Sequence, residues 1–328
     1  MGLDISNKVF DATKQCDEAV VRRQFPNTSP GHRQFIRWAV RGAGVARVAL
    51  EATGVYHMQL ALALDGATDI ELMVINPCAA RRFLQAYMVR AKTDRIDADG
   101  VLQFVLRMPF KLWSAPRDDV LQLQSLAHRV AQLDKDLSRE RSRLHAARRA
   151  GHHTLLVQQD LQHHIEQLKQ RLEITRTQAC EVIRRDTQLA DDARIIKTAP
   201  GFAALSSMKL LAELSALPTD MMAAQWVAHA GLDPRAYESG TSFNRPRRIS
   251  KQGNARIRAI LFMSALTAVR HDSNVSAYYE KLINRGKKKM QAITAVMRKL
   301  LLALWGMLHH RQLWNGEKFY RLNQPVSA

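Results

Sequence analysis

Asp94 and Asp97 stand three residues apart in Lys92-Thr93-Asp94-Arg95-Ile96-Asp97-Ala98-Asp99-Gly100, where the pattern predicts the start of a helix. Residues i and i+3 share a helix face. A helix continuing through Val101, Leu102 and Val105 would put Asp94, Asp97, Ala98, Val101 and Val105 on one stripe, the stripe that packs inward. Carboxylates on a packing face need a reason. Acids in a first turn complement the helix dipole, and that explains them without further chemistry; converging oxygens are also what a divalent metal requires. Two more carboxylates lie on predicted strands, Asp4 on the first and Glu51 at the end of a later one. Four carboxylates crowded together repel unless cations neutralise them. Two Mg2+ ions about 3.5–4 Å apart would do so and would clamp the attacking and leaving oxygens of a phosphodiester.

A second stretch carries hydroxyls among cations. Leu232-Asp233-Pro234-Arg235-Ala236-Tyr237-Glu238-Ser239-Gly240-Thr241-Ser242 is turn-rich, and Arg245, Arg247, Arg248 and Lys251 follow it. A serine attacks phosphorus only when it is activated beside positive charge, and Ser239 has the charge. On composition alone, a loop residue or helix cap accounts for it as well. Beyond Gly253-Asn254, a helix from Ala255 to Val269 carries Arg256 and Arg258, and Asn284-Arg285-Gly286-Lys287-Lys288-Lys289 forms a basic turn before a helix from Gln291 to His310. Phosphate contact is the expected use of Arg235, Arg245, Arg247, Arg248, Lys251, Arg256, Lys287, Lys288 and Lys289.

The elements that must position these residues fall into three segments. Met1–Ile5, Val9–Thr13 and Ala19–Phe25 read as strands, the last two as hairpin partners, with Pro26 to Gly31 as a break. Helices over His32–Val40, Tyr56–Leu64 and Arg81–Tyr87 then alternate with strands Val45–Leu50 and Ile70–Ile75. That order predicts a mixed sheet with helices on its faces, where ligands gather beyond strand ends. In the middle, Leu126, Val130, Leu133, Leu137 and Leu144, with Glu140 in one polar slot, and Leu161, Ile165, Leu168, Leu172, Thr175, Ala179 and Val182 form two heptad-like seams. The basic break Arg148 to His153 between them predicts an antiparallel helical hairpin with arms of about 40 Å. Ile195 to Phe202 followed by Leu205–Leu214 has the shape of a helix-hairpin-helix unit, or of a plain packing turn.

Composition narrows the partners. Among 328 residues, 49 Lys+Arg face 30 Asp+Glu, a net +19, and residues 231–328 hold 18 basic against 5 acidic residues. A polyanion, most simply nucleic acid, is the expected partner. Cys16, Cys78 and Cys180 lie far apart without zinc spacing and are expected to be buried, inert thiols. His152, His153, His163 and His164 lack the carboxylate or cysteine that would complete a tetrahedral site. No signal peptide is visible, and Arg298 and Lys299 interrupt the late apolar run short of a membrane span, so a cytoplasmic location is expected.

Gly2-Leu3-Asp4, Glu51-Ala52-Thr53-Gly54, Ile75-Asn76-Pro77, Lys92-Thr93-Asp94 with Asp97-Ala98, and Tyr237-Glu238-Ser239-Gly240 with Ser250-Lys251-Gln252-Gly253-Asn254 together resemble the DEDD serine transposases of insertion-sequence family 110, related to the Piv DNA invertases. The resemblance runs along nearly the whole chain in the right order. It implies an α/β plus α architecture: a RuvC-like, RNase H-type metal-binding domain (1–112), an antiparallel coiled-coil arm (113–190) and a mainly helical transposase domain (191–328). It further implies that Asp4, Glu51, Asp94 and Asp97 hold Mg2+, two ions with Mn2+ able to substitute, and that Ser239 joins DNA as a phosphoserine. The implied partners are donor and target double-stranded DNA, an element-encoded bridge or seek RNA, and other copies of the chain in a tetramer, a dimer of dimers whose acids and serines come from different protomers. Met1 stands three residues before Asp4, where relatives carry several more, so a short first strand is expected. Two other readings are a Mg2+-dependent nuclease of the Holliday-junction-resolvase type, which uses water as nucleophile, and a nucleic-acid-binding protein with a decayed site.

The charge distribution makes the first prediction. If the basic third neutralises 6–10 phosphates, affinity for duplex DNA falls about 10³–10⁵-fold between 50 and 200 mM salt. A flat response in a titration across that range would refute phosphate contact.

Overall fold

Alternating apolar residues in the first 26 positions build a three-stranded meander. Strands β1 (Gly2–Ile5), β2 (Val9–Cys16) and β3 (Ala19–Pro26) pair antiparallel in turn, Leu3 opposite Ala12 and Phe10 opposite Phe25. The computed structural model describes residues 1–16, 19–42, 44–52, 54–87, 94–235, 238–239, 243–244 and 248–322, with backbone alone for 94–96, 235, 238–239, 243–244 and 248. These residues fall into two units, Met1–Ala115 and Pro116–Ala328.

In the first unit the meander leads to helix α1 (Ser29–Ala39), then β4 (Ala46–Glu51), α2 (Met58–Asp65), β5 (Ile70–Ile75), α3 (Pro77–Ala86) and α4 (Asp94–Arg107). The sheet order is β3-β2-β1-β4-β5, with β4 parallel to both β1 and β5. The residues expected to break the chain before α1 instead begin it. Thr28 caps the helix by accepting from Gly31 N, and Pro30 occupies its first turn, where a missing N–H costs nothing. Asn76 and Pro77 open α3 in the same way.

Two cores flank the sheet. On one face Leu3, Ile5, Phe10, Val48, Leu50 and Leu72 pack with Phe35 and Leu60; on the other, Ala49, Met73 and Ile75 pack with Ala80, Val101 and Phe104. Lys14, buried on β2, donates to the carbonyls of Ala39 (3.1 Å) and Arg41 (2.9 Å) at the end of α1. Gly2 sets how closely α4 can lie on β1, since a Cβ there would stand 2.2 Å from Leu102 N and 2.4 Å from Ala98 O.

The second unit opens with α5 (Asp118–Ala150), a single 3-10 turn, and α6 (Leu155–Arg185). Arg117 pairs with Asp186 at 2.9 Å, Arg176 with Asp134 at 3.1 Å, and Thr154 Oγ1 donates to Ala147 O at 2.7 Å, so the two helices run antiparallel around Gly151 (φ 112°). The seam starts at Val120 and Leu123, earlier than the expected Leu126, which is only partly buried; the arms are therefore about 45–50 Å long. Glu140 is buried in the seam against Arg143 at 2.5 Å.

The seam merges into a helical core built by α7 (Thr187–Thr198), α8 (Ala204–Leu214) and α9 (Ala223–His229), two small strand pairs, then α10 (Ala255–His271), α11 (Ser273–Asn284), α12 (Lys289–His309) and α13 (Gly316–Phe319). Gly201 (φ 82°), in the turn between α7 and α8, lies so close to Ser264 O on α10 that a Cβ would stand 2.2 Å away; the turn is used for packing. Contrary to expectation, α12 is long and apolar enough by length and composition to cross a membrane. Ala292, Val296, Leu300, Leu301 and Leu304 are buried in the helical core. The cysteines also depart from expectation, since Cys16 and Cys78 are exposed and Cys180 is half-buried.

Gly2→Ala should lower the stability of the N-terminal unit by about 1–3 kcal/mol, because the clash is with backbone and α4 must move. Gly44→Ala, where an added Cβ meets nothing within 4 Å, should be near neutral. Urea unfolding of both variants checks this, and equal midpoints would disprove it.

Candidate active site

Three of the four expected acids share one face of the five-stranded sheet. Side chains alternate along a strand; Leu3 and Ile5 enter the core with Phe35, so Gly2 and Asp4 point to the side of α4. Val48 and Leu50 enter that same core while Ala49 enters the other, which sends Glu51 to the side of α4 too. Asp4 and Glu51 each stand one residue past the last paired positions of adjacent parallel strands, Leu3 and Leu50. Asp97 precedes Ala98, whose carbonyl lies over Gly2, and shares its helix face with Val101 and Phe104. All three carboxylates are half-buried.

Asp94 begins α4, with its side chain outside the described residues. Asp99 turns the other way, accepting from Thr13 Oγ1 at 2.8 Å and from Arg22 at 2.8 and 2.9 Å, and ties α4 to β2 and β3. Oxygen donors of this kind suit a hard divalent cation. Among the described residues, however, no three His, Cys, Asp or Glu side chains lie close enough to hold one.

The serine segment is closed at its base by a series of backbone clamps. Ser250 N donates to Asp233 O (2.9 Å) and Ser250 Oγ to Asp233 Oδ1 (2.5 Å), while Lys251 N donates to Gly231 O (3.0 Å) and Asn254 N to His229 O (2.7 Å). Above the clamps, β6 (Pro234–Arg235) pairs with β9 (Arg248–Ile249), and β7 (Glu238–Ser239) pairs with β8 (Phe243–Asn244), setting Ser239 opposite Phe243. Gly253 (φ 132°) passes so near His229 O that a Cβ would stand 2.1 Å from it, and Lys251 takes a left-handed φ of 53°. In Ser250-Lys251-Gln252-Gly253-Asn254, backbone approach therefore requires the glycine at 253, while Ser250 and Asn254 are held by side-chain hydrogen bonds.

Of the expected phosphate contacts, Lys251, Arg256, Lys287, Lys288 and Lys289 are exposed. Arg235 and Arg248 are strand partners with side chains outside the described set, and Arg245 and Arg247 lie outside it entirely, as does the side chain of Ser239.

Residues 1–149 match the DEDD-type IS110 family model described as "Transposase", and residues 193–280 match "Transposase IS116/IS110/IS902 family". The chain belongs to the IS110/IS116 transposase family. It is 23% identical over 317 residues to the pilin gene-inverting protein of Moraxella bovis, covering 95% of this chain and 96% of that protein. It is 30% identical over 158 residues to the 44.8 kDa protein of insertion element IS116 from Streptomyces clavuligerus, covering 47% of this chain and 38% of that one. The first family match takes in the acid-bearing sheet and the second the clamped serine segment.

Within this family member, sequence reasoning missed Glu213. It lies on α8, is 4% exposed among Leu210, Leu211 and Leu214, and has both carboxylate oxygens engaged: His128 Nε2 at 2.7 Å on Oε1 and Asn254 Nδ2 at 2.6 Å on Oε2. Its signal was a lone acid on the buried stripe of Leu210-Leu211-Ala212-Glu213-Leu214. Arg258, expected only as part of a basic helix, turns inward and donates to the carbonyls of Ala230 (2.9 Å) and Gly253 (3.2 Å).

Burial alone would raise the Glu213 carboxyl, but the bonds from His128 and Asn254, with the charges of His128 and Arg256, hold it below the ordinary value. Burial lowers the nearby His229 imidazole, against the opposing charge of Glu213. A histidine whose folded pKa is depressed binds fewer protons folded than unfolded, so stability is intact above about 6.5 and is lost as pH falls through the folded value. The urea midpoint should thus drop as pH is taken from 7 to 5, with a smaller drop in His229→Gln. A wild-type midpoint that stays level or rises on acidification would contradict the assignment.

Proposed function

We propose that this chain is the RNA-guided DNA transposase of an insertion sequence, cutting and rejoining DNA through a phosphoserine on Ser239. The observation that carries the reading is the clamped hairpin. It presents Ser239 from a turn closed by Asp233–Ser250 and Gly231–Lys251, with exposed Lys251 and Arg256 at its base. The sheet order, with β1 between an antiparallel and a parallel neighbour, supports a RuvC-like, RNase H-type reading of residues 1–112. The long hairpin supports a coiled-coil arm over 113–190, and 191–328 is then the transposase domain.

Asp4, Glu51, Asp94 and Asp97 would hold Mg2+, two ions with Mn2+ as substitute, which would supply Lewis-acid polarisation of the scissile phosphate and ease loss of the serine proton. Ser239 Oγ forms a bond to phosphorus as the bond to the 3′ oxygen breaks. The proton lost by the serine goes to that oxygen, leaving the 5′ phosphate on Ser239 and a free 3′-hydroxyl. A 3′-hydroxyl from the other duplex then attacks the phosphoserine, making the new phosphodiester and returning Ser239. One phosphodiester replaces another, so no external energy source is required.

Lys251, Arg256 and Lys287–Lys289 hold backbones, while pairing of an element-encoded bridge RNA with donor and target supplies sequence choice. The acting form in this reading is a tetramer, a dimer of dimers.

The test incubates the protein with Mg2+, RNA transcribed from the element's flank, and labelled donor and target duplexes, followed by denaturing electrophoresis. Wild type should give a covalent protein–DNA band and recombinant product; Ser239→Ala should give neither, and Asp97→Ala should lose both. Recombination without any adduct rejects the phosphoserine. Full strand cutting by Ser239→Ala would favour water as the nucleophile, and product formed equally well without the RNA rejects guidance.

A further inference from the structure

Glu213 lies at the meeting point of three elements remote in sequence. His128 belongs to α5, the first arm of the long hairpin; Glu213 belongs to α8; Asn254 ends the clamp beneath the serine hairpin and caps α10. Asn254 is committed at every side-chain polar atom and at its backbone N–H. Its Oδ1 accepts from Arg256 N (2.9 Å) and Ile257 N (3.2 Å), its backbone N donates to His229 O (2.7 Å), and its Nδ2 donates to Glu213 (2.6 Å). Turning the amide over would set its NH2 against two backbone N–H groups and its oxygen against a carboxylate.

A carboxylate that is 4% exposed is tolerated only while both oxygens are hydrogen-bonded. The root of the serine hairpin is therefore locked in polarity as well as in position. Gly253 reinforces the lock, because its contact with His229 O admits no side chain and leaves the turn no room to slide.

We propose that Glu213, oriented by His128, is a positioning residue for Ser239: through Asn254 it fixes the neck of the hairpin that carries the nucleophile, and it ties that neck to the first arm of the helical hairpin. The proposal rests on Ser239 being the nucleophile. Glu213 touches no substrate; it acts on where the hairpin stands when DNA is bound, and the short strand pairs above the neck inherit that placement.

Reciprocal polarity gives the test. In Glu213→Leu the Asn254 NH2 loses its acceptor, and in Asn254→Asp two buried carboxylates face each other. The double variant Glu213→Gln with Asn254→Asp restores the contact with donor and acceptor exchanged. The amide NH2 introduced on α8 donates to the carboxylate introduced at the start of α10, which still caps that helix, and the introduced amide oxygen still accepts from His128. Single-turnover adduct formation is measured with the full chain, Mg2+, flanking RNA and saturating labelled duplex, alongside DNA affinity and folded fraction.

Each single variant should lower the rate constant about 10- to 100-fold, the scale of a displaced reacting group. The double variant should return to within about threefold of wild type. Loss of folded protein would reduce only the amplitude of the reaction, whereas a misplaced hairpin reduces its rate constant, so the two are separable. Single variants with wild-type rate constants, or a double variant no faster than the singles, overturn the proposal. Ser239→Ala run in parallel separates the layers: an adduct lost in Ser239→Ala but formed at full rate by both single variants removes the lock alone, while an adduct that survives Ser239→Ala removes the nucleophile assignment and the positioning role with it.

Discussion

A carboxylate inside an apolar core is the most demanding group in the helical unit. Glu213 is surrounded by leucines on α8 and would be destabilising by several kcal/mol if either oxygen were left without a donor. Satisfying both oxygens ties α5, α8 and the start of α10 to a common point, since the donors are His128 and Asn254. From that point the chain's geometry follows outward. Asn254 sets the first turn of α10, Gly253 and Lys251 shape the turn before it, and Ser250 and Asp233 close the neck of the serine hairpin. An apolar residue at 213 would pack and remove the desolvation cost, but the Asn254 NH2 would then lose its acceptor and only the helix cap would hold the amide.

The sheet unit obeys a different constraint, the strict alternation of strand side chains. Because Leu3 and Leu50 are register partners buried in one core, the residue after each must emerge on the opposite face, and those residues are Asp4 and Glu51. A one-residue slip would send both acids into the core with Phe35. Small residues then decide what can cover that face. Gly2 lets the backbone of α4 descend onto β1 near Ala98, which carries Asp97 to the same side as the strand-end acids. The glycine and the aspartate of Gly2-Leu3-Asp4 are thus parts of one device, the first admitting the helix and the second facing it.

Much of this is legible in the sequence because it is local. Strand alternation locates all five strands of the sheet, and the heptad seams locate both long helices, although Pro30 and Pro77 read as breaks when they are first-turn residues. Helix α5 begins at Asp118, ahead of the regular spacing from Leu126, because Val120 and Leu123 precede the regular part of the seam. The acids can be found as strand-end carboxylates, and their common face follows once the register is known. Glu213 and His128 cannot, since their partnership spans 85 residues and neither carries a motif. Cys16 and Cys78 show the limit of composition, which favours burial for cysteine, whereas both occupy element ends that face outward.

The two strand pairs that carry Ser239 are only two residues long on each side. Pairings so short contribute little order of their own; an isolated two-stranded hairpin is marginal in water even when longer. The definition of the segment must come from below, where the side-chain bond from Ser250 to Asp233, three backbone bonds and a backbone contact at Gly253 act together. In the proposed mechanism the nucleophile gains from this division, since its placement is set from the core. The rigid parts are kept in the core, where Glu213 holds the neck through Asn254.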